Sequence, residues 1–400
     1  MHNLDTRRRP VRLLALAAAV AVLAGVTAAC SAGGGTPPAG LSCAWQYKTT
    51  KDTQNVAYPD TGATYWSMDL NLIAGDSVIL HGTFPDARYM SFTTYSLTGT
   101  AIDRVTDRDI TPSSGSLNHF ADPAAAPGGS YTLDLRSDVS TGTPDNILST
   151  GGAIGAVIYR SYVSGVPGDP TGGSGLPSVS VRRSDGSVVP VANCATPGAD
   201  PNVLDLINVF GPATDVPAQD PPVFKRPTAL GGLFANPDNA YVAAVSAHQA
   251  GKVVVIRGKA PTTPDTLAGD SPAEAGNQAR YWSMCTDEYR KPYPVNECVF
   301  DSQVPLDANG YFTIVASTPA DRPATADTAH GVAWLDWGST NQDMLLIMRH
   351  MLADPSFTQS VFTVTPGLPA TSTMGAYAPL TARCTVATFD AGGATACGLA

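Results

Sequence analysis

Val78-Ile79-Leu80-His81-Gly82, then Pro85, then Arg88-Tyr89-Met90-Ser91-Phe92, is a pattern the chain uses twice. It returns as Val254-Val255-Ile256-Arg257-Gly258, Pro261 and Arg280-Tyr281-Trp282-Ser283-Met284, with a segment rich in Pro, Gly, Ala and Asp inserted after Pro261. Upstream, Tyr65 and Tyr241 keep the same offset of 176 residues. Downstream, Gly129 to Leu133 matches Gly310 to Ile314, and Val157-Ile158-Tyr159-Arg160 matches Leu346-Ile347-Met348-Arg349. Matches kept in one order across half the chain point to an internal duplication.

Each block reads as a strand. Arg88, Met90 and Phe92 alternate with Tyr89, Ser91 and Thr93, and the second copy alternates in the same way, a period of two with aromatic enrichment. One core kept twice would turn Met90 with Trp282, Phe92 with Met284, and Ile158 with Ile347 inward, because a one-residue slip would turn a strand's apolar set to water. Turn sequences such as Ser184-Asp185-Gly186 and Asp307-Ala308-Asn309-Gly310 separate short strands. The expected fold is all-β: two tandem β-sandwich or jelly-roll-like domains from an internal duplication, over 41–195 and 229–400. A Pro-rich linker, 196–228, would carry a short helix from Asn202 to Phe210.

The composition agrees. The 400 residues include 38 Gly and 33 Pro, and only 14% are charged, a turn-rich β composition. The formal charge is −10, and −13 without the first 29 residues, which carry Arg7, Arg8, Arg9, Arg12 and Asp5. An acidic surface argues against nucleic acid as a partner.

The amino terminus reads as an export signal. A basic stretch, Arg7 to Arg12, precedes an apolar run from Leu13 to Val26, too short to span a bilayer as a helix. Thr27-Ala28-Ala29-Cys30 then resembles a bacterial lipobox, which implies cleavage of residues 1–29 and lipid attachment at Cys30. Residues 30–40 would be a flexible tether to the membrane. Six other cysteines remain, an even number in an exported chain. Proximity in the chain pairs Cys285 with Cys298 and Cys384 with Cys397, leaving Cys43 for Cys194. No Cys-x-x-Cys occurs, so no zinc or thioredoxin-type site is expected.

The stretches Arg280-Tyr281-Trp282-Ser283-Met284, Gly310 to Ile314, Trp334-Leu335-Asp336-Trp337-Gly338 and Leu345 to Arg349 together resemble the bacterial family called domain of unknown function 1214. The resemblance covers roughly residues 240–355 and, more faintly, 65–165. It departs at Ala333 and Asp336, where the family has Asn and Pro, and the first half lacks the Trp turn. It implies an all-β, jelly-roll-like fold and no established activity.

No nucleophile elbow, metalloprotease motif, P-loop or dinucleotide fingerprint is present. Five of the six histidines, His81, His119, His248, His330 and His350, are scattered beyond the signal segment, so no catalytic residue, cofactor or metal is assigned. Asp103, Asp107 and Asp109, interleaved with Arg104 and Arg108, could be a carboxylate set for glycoside hydrolysis or Ca²⁺, but read better as a solvated charged turn. The repeated arginines are sharper. Arg160 and Arg349 share strand faces with Ile158 and Ile347, and Arg88 and Arg280 with Met90 and Trp282. An arginine aimed at a core must be paired or must line a wet cavity. Arg88, Arg160, Arg280 and Arg349, with Trp334 and Trp337, are therefore either buried braces or the walls of a pocket for an anionic or polyol ligand. The expected function is a lipid-anchored, extracytoplasmic binding or structural module of the cell envelope, non-catalytic, with a small-molecule, glycan or protein ligand. The alternative is a hydrolase of cell-envelope carbohydrate.

Overall fold

The computed structural model describes residues 42–211, 216–228 and 233–399. The expected signal peptide, the tether and Cys30 lie outside them. The first half holds β1 (Tyr47–Thr49), β2 (Ala63–Asn71), β3 (Ser77–Thr83), β4 (Ala87–Tyr95), β5 (Ala101–Thr106), β6 (Ser130–Arg136), β7 (Ile147–Ser149), β8 (Ile154–Ser164), β9 (Ser178–Arg182) and β10 (Val188–Val191). They form two sheets, ordered β1-β2-β8-β4-β5 and β10-β9-β3-β6-β7. A short helix, α1 (Val203–Phe210), follows. The second half holds β11 (Asn239–Ser246), β12 (Lys252–Lys259), β13 (Tyr281–Glu288), β14 (Val295–Phe300), β15 (Tyr311–Ser317), β16 (Ala333–Asp336), β17 (Met344–Met351), β18 (Leu380–Thr385) and α2 (Val386–Ala396). Its sheets are β11-β17-β13-β14 and β16-β15-β12-β18.

The two halves have one strand order. β2-β8-β4-β5 corresponds to β11-β17-β13-β14, and β9-β3-β6-β7 to β18-β12-β15-β16. The parallel pair of each half is also shared, β6 with β7 and β15 with β16. Registers agree at the repeated residues: Leu80 faces Leu133 as Ile256 faces Ile314, and Gly82 faces Tyr131 as Gly258 faces Phe312. Glycine is needed at both places because an aromatic ring lies over the backbone. A Cβ on Gly82 would stand 2.4 Å from the Tyr131 hydroxyl oxygen, and one on Gly258 3.0 Å from the Phe312 ring.

Each sandwich fills its interior from the alternating faces of both sheets. In the first, Trp66, Met90, Phe92 and Tyr159 meet Val78, Leu80, Leu133 and Val181. In the second, Val242, Trp282, Met284 and Met348 meet Val254, Ile256, Phe312 and Ile314. Full burial of each such side chain contributes about 1.5–3 kcal/mol. Met90 with Trp282 and Phe92 with Met284 point inward as their parity required. Ile158 and Ile347 do not: they lie on the opposite faces of β8 and β17, in neither sandwich interior. The reason is that these strands are buried on both sides, so an apolar run such as Leu345 to Met348 carries no alternation from which to read the inner face.

The second buried side is the junction between the halves. The outer faces of β4 and β8 meet those of β13 and β17, where Tyr89, Tyr162, Tyr281 and Met351 form one cluster. Tyr162 and Tyr281 stand edge to face with ring centres 5.4 Å apart. Residues 216–228 also pack: Ala218 bridges to Val245 and Lys225 to Ala243, covering the exposed edge of β11. In the second half alone, α2 closes the back of the β12 sheet, with Phe389 against Val253, Val255 and Val315.

Candidate functional site

Four buried arginines meet at the junction, and they do so in matched pairs. After β5 and β14 the chain makes equivalent single turns, Asp107–Asp109 and Asp301–Gln303. Arg88 Nη1 of the first half donates to Asp301 Oδ1 of the second at 2.8 Å. Arg280 Nη1 of the second half donates to Asp107 of the first at 3.2 Å. Each aspartate also accepts a backbone N–H from its own half, Met90 to Asp107 at 3.0 Å and Trp282 to Asp301 at 3.3 Å. The exchange is self-complementary, as in a two-fold dimer. It also corrects the reading of the acidic cluster as a solvated turn: Asp107 is fully buried. Asp103 accepts the Ser149 N–H at 2.9 Å, and Asp109 accepts from Thr106. The three carboxylates serve separate structural bonds.

Arg160 and Arg349 also occupy equivalent places, opposite Ser91 and Ser283. They point away from their own sandwich cores and into the junction. Each reaches across to a backbone carbonyl of the other half: Arg160 to Phe234 at 2.9 Å, Arg349 to Tyr58 at 2.7 Å. Phe234 and Tyr58 are themselves equivalent, 176 residues apart and both left-handed, with φ of 52° and 58°. The remaining bonds differ. Arg160 donates to the Thr93 hydroxyl at 3.1 Å and the Tyr95 hydroxyl at 2.5 Å. Arg349 donates to Asp60 at 3.3 Å and Cys285 Sγ at 2.6 Å. Burial opposes the Arg349 charge, but Asp60 and Asp287 more than offset it, so it stays protonated. Asp60 is well held, accepting also from the Tyr281 and Ser283 hydroxyls.

Beside Arg349 lies a partly enclosed cavity of about 60 Å³. Tyr58, Tyr241, Tyr293 and Phe234 supply aromatic walls, and Ile207 of α1 covers it from the linker. Asp287 is fully buried near this group. Burial pushes its carboxyl well above the usual range, only partly countered by Arg349. An aromatic-lined cavity with one buried guanidinium in its wall has the features of a small-molecule site.

The other expected residues lie elsewhere. Trp337 sits in the second sandwich core, while Trp334 donates to Ser317 Oγ at 2.9 Å and stacks under Arg322. Neither joins the arginines. His119 and His350 are buried apart, held neutral with pKa values lowered by burial to about 4 and about 3. The disulfides are Cys43–Cys194, Cys285–Cys298 and Cys384–Cys397. Asp60, Cys285 and Cys298 lie close enough to hold a metal ion. The two sulfurs are bonded to each other and Arg349 stands against them, so this group does not fit a cation. Sequence reasoning missed Tyr58, Asp60, Asp287 and Asp301. Part of their signal was available: Tyr58 and Asp60 stand 176 residues before Phe234 and Asn236, and Asp287 follows Arg280 at the spacing by which Tyr95 follows Arg88, whereas Asp301 stands two residues farther from Arg280 than Asp107 from Arg88.

This fold is found in bacteria. An uncharacterized protein from Burkholderia cenocepacia matches with a TM-score of 0.50 and 12% identity, over 86% of this chain and 84% of that one. A Vibrio parahaemolyticus protein aligns with a TM-score of 0.39 and 12% identity, over 74% of this chain and 86% of its own. No family model matches the chain, and no curated protein matches it. Three disulfides mark an extracytoplasmic protein, and among the described residues no helix is long and apolar enough to cross a membrane.

Proposed function

We propose that the protein is a lipid-anchored envelope module that binds a small molecule without converting it, in the cavity beside Arg349. The observation that carries the reading is this cavity, lined by aromatic rings and one buried guanidinium. Catalysis is disfavoured by how the neighbouring carboxylates are used. Asp60, Asp107 and Asp301 are each engaged by an arginine and by backbone N–H groups, and Asp238 by Arg104 and the Tyr89 hydroxyl. A hydrolase of envelope carbohydrate would need two such groups free across a cleft. Membrane attachment rests on the Cys30 motif, and kinship with the domain of unknown function 1214 family on the repeated strand motifs.

A thermal-shift screen of small aromatics, organic acids and sugars tests the binding, because a ligand of the folded state raises its melting temperature by mass action. At least one class should stabilise the wild type and not Ile207→Trp, which fills the cavity from α1. Equal shifts in both proteins, or none, would sink the reading. Anchoring is tested separately by metabolic labelling with a fatty-acid analogue, which Cys30→Ser should abolish.

A further inference from the structure

The first half contains a template for the ligand of the second, an inference that rests on the binding reading above. Tyr95, at the end of β4, is fully buried with its ring edge-on to Phe234, centres 5.6 Å apart. Its hydroxyl accepts from Arg160 Nη2 at 2.5 Å and donates to the Ala235 carbonyl at 2.6 Å. The Arg160 guanidinium also lies 5.5 Å from the centre of this ring. A phenol therefore caps the buried arginine of the first half.

At the equivalent position of β13 the residue is Asp287, seven residues after Arg280 as Tyr95 is seven after Arg88. Three neighbours are matched: Arg349 for Arg160, Tyr58 for Phe234, Tyr241 for Tyr65. Arg349 lies 5.7 Å from the Tyr241 ring centre, as Arg160 lies 5.8 Å from that of Tyr65. The phenol ring is missing, and the cavity lies beside Arg349. Three buried polar atoms are left without a hydrogen-bond partner: both Asp287 carboxyl oxygens and the Tyr58 hydroxyl. Unsatisfied buried groups of this kind are rare and call for an occupant. Burial pushes the Asp287 carboxyl well above the usual range, and its two unpartnered oxygens face no protein donor.

We propose that this cavity binds a single-ring phenol, its ring against Tyr58 and Tyr241 and its hydroxyl bonded to Arg349 and Asp287. The ligand would stand where Tyr95 stands in the first half. A cavity of about 60 Å³ is too small for an oligosaccharide.

The experiment is titration of the full chain with phenol, toluene and glucose, followed by calorimetry and ligand-observed NMR. The double variant Tyr58→Phe with Asp287→Tyr rebuilds the Phe234–Tyr95 pair in the second half and closes the cavity with a residue the fold already accommodates. Ile207→Trp is the second blocking variant, should the double variant fail to fold. Phenol should bind saturably to the wild type, toluene at least tenfold more weakly, and neither blocked protein should bind phenol. Equal binding of phenol and toluene, phenol binding by a blocked and folded variant, or no phenol binding would overturn the proposal. If phenol fails while another compound stabilises the wild type and not Ile207→Trp, the binding reading stands and the phenol class falls. If nothing distinguishes the two proteins, both fall.

Discussion

Beside Arg160 the first half places the phenol of Tyr95; at the matching place beside Arg349 the second half places Asp287. The contrast continues along the same hairpins. Thr93 faces Arg104 where Cys285 faces Cys298, and Arg104 pairs with Asp238 at 2.6 Å where the second half has a disulfide. The back of β3 is exposed at His81, whereas the back of β12 is covered by α2. By contrast, the arginine–aspartate exchange at the ends of β4 and β13 is the same in both directions. The exchanged pairs are kept in both directions, while the changed positions around Arg349 are where a site could arise.

The comparison is broken most severely at the exchanged pairs. Asp107→Ala and Asp301→Ala should each cost about 3–5 kcal/mol, because each strands a buried guanidinium. Denaturant midpoints should fall by similar amounts; one large and one negligible loss would mean the two pairs are not equivalent. Next, replacing Cys285 and Cys298 together by Ala should cost about 2–3 kcal/mol, from a loop of 13 residues. The first-half hairpin folds without such a link, so the double variant should keep the native fold; loss of the fold would show that the disulfide does more than restrain the unfolded chain.

Acid sharpens the comparison further, since each half buries one neutral histidine. The folded pKa of His350, about 3, lies below its ordinary value of 6.5. As pH falls below 6.5 the unfolded chain takes up the proton first, so stability is full above that value and declines down to about 3. At pH 5 the loss from His350 is about 2 kcal/mol. His119→Phe, packed beside Phe84 and Phe120, should flatten the part of the slope due to the first half and raise stability, since both ring nitrogens of His119 lack partners. Melting curves between pH 7 and 5 decide this; an unchanged slope would mean that His119 is not buried and neutral. The smallest effect belongs to Arg136→Ala. Its exposed pair with Asp138 has no counterpart in the second half, and losing it should leave a denaturant midpoint almost unchanged.

Much of this was legible beforehand. The repeat fixed corresponding strands because Gly82 and Gly258, or Met90 and Trp282, meet the same steric demands in both copies. The short helix after Asn202 was also readable from its apolar spacing. The inner face of β8 and β17 was not, because strands buried on both sides lose their alternation. Nor was the burial of Asp107, since an interleaved run of acids and bases looks solvated until a partner from the other half is placed against it. The cavity was hidden for a related reason: it depends on Tyr58 and Phe234 crossing between halves, a contact that no local spacing encodes.

The central claim is that the halves are one structure made by reciprocal contacts. Among the described residues no disulfide joins them. A protease site inserted between Gly211 and Val216 allows the linker to be cut in the folded protein. After cleavage the two fragments should run together as a one-to-one complex on gel filtration and part only on unfolding. Two separate, folded monomers appearing after the cut would contradict the account.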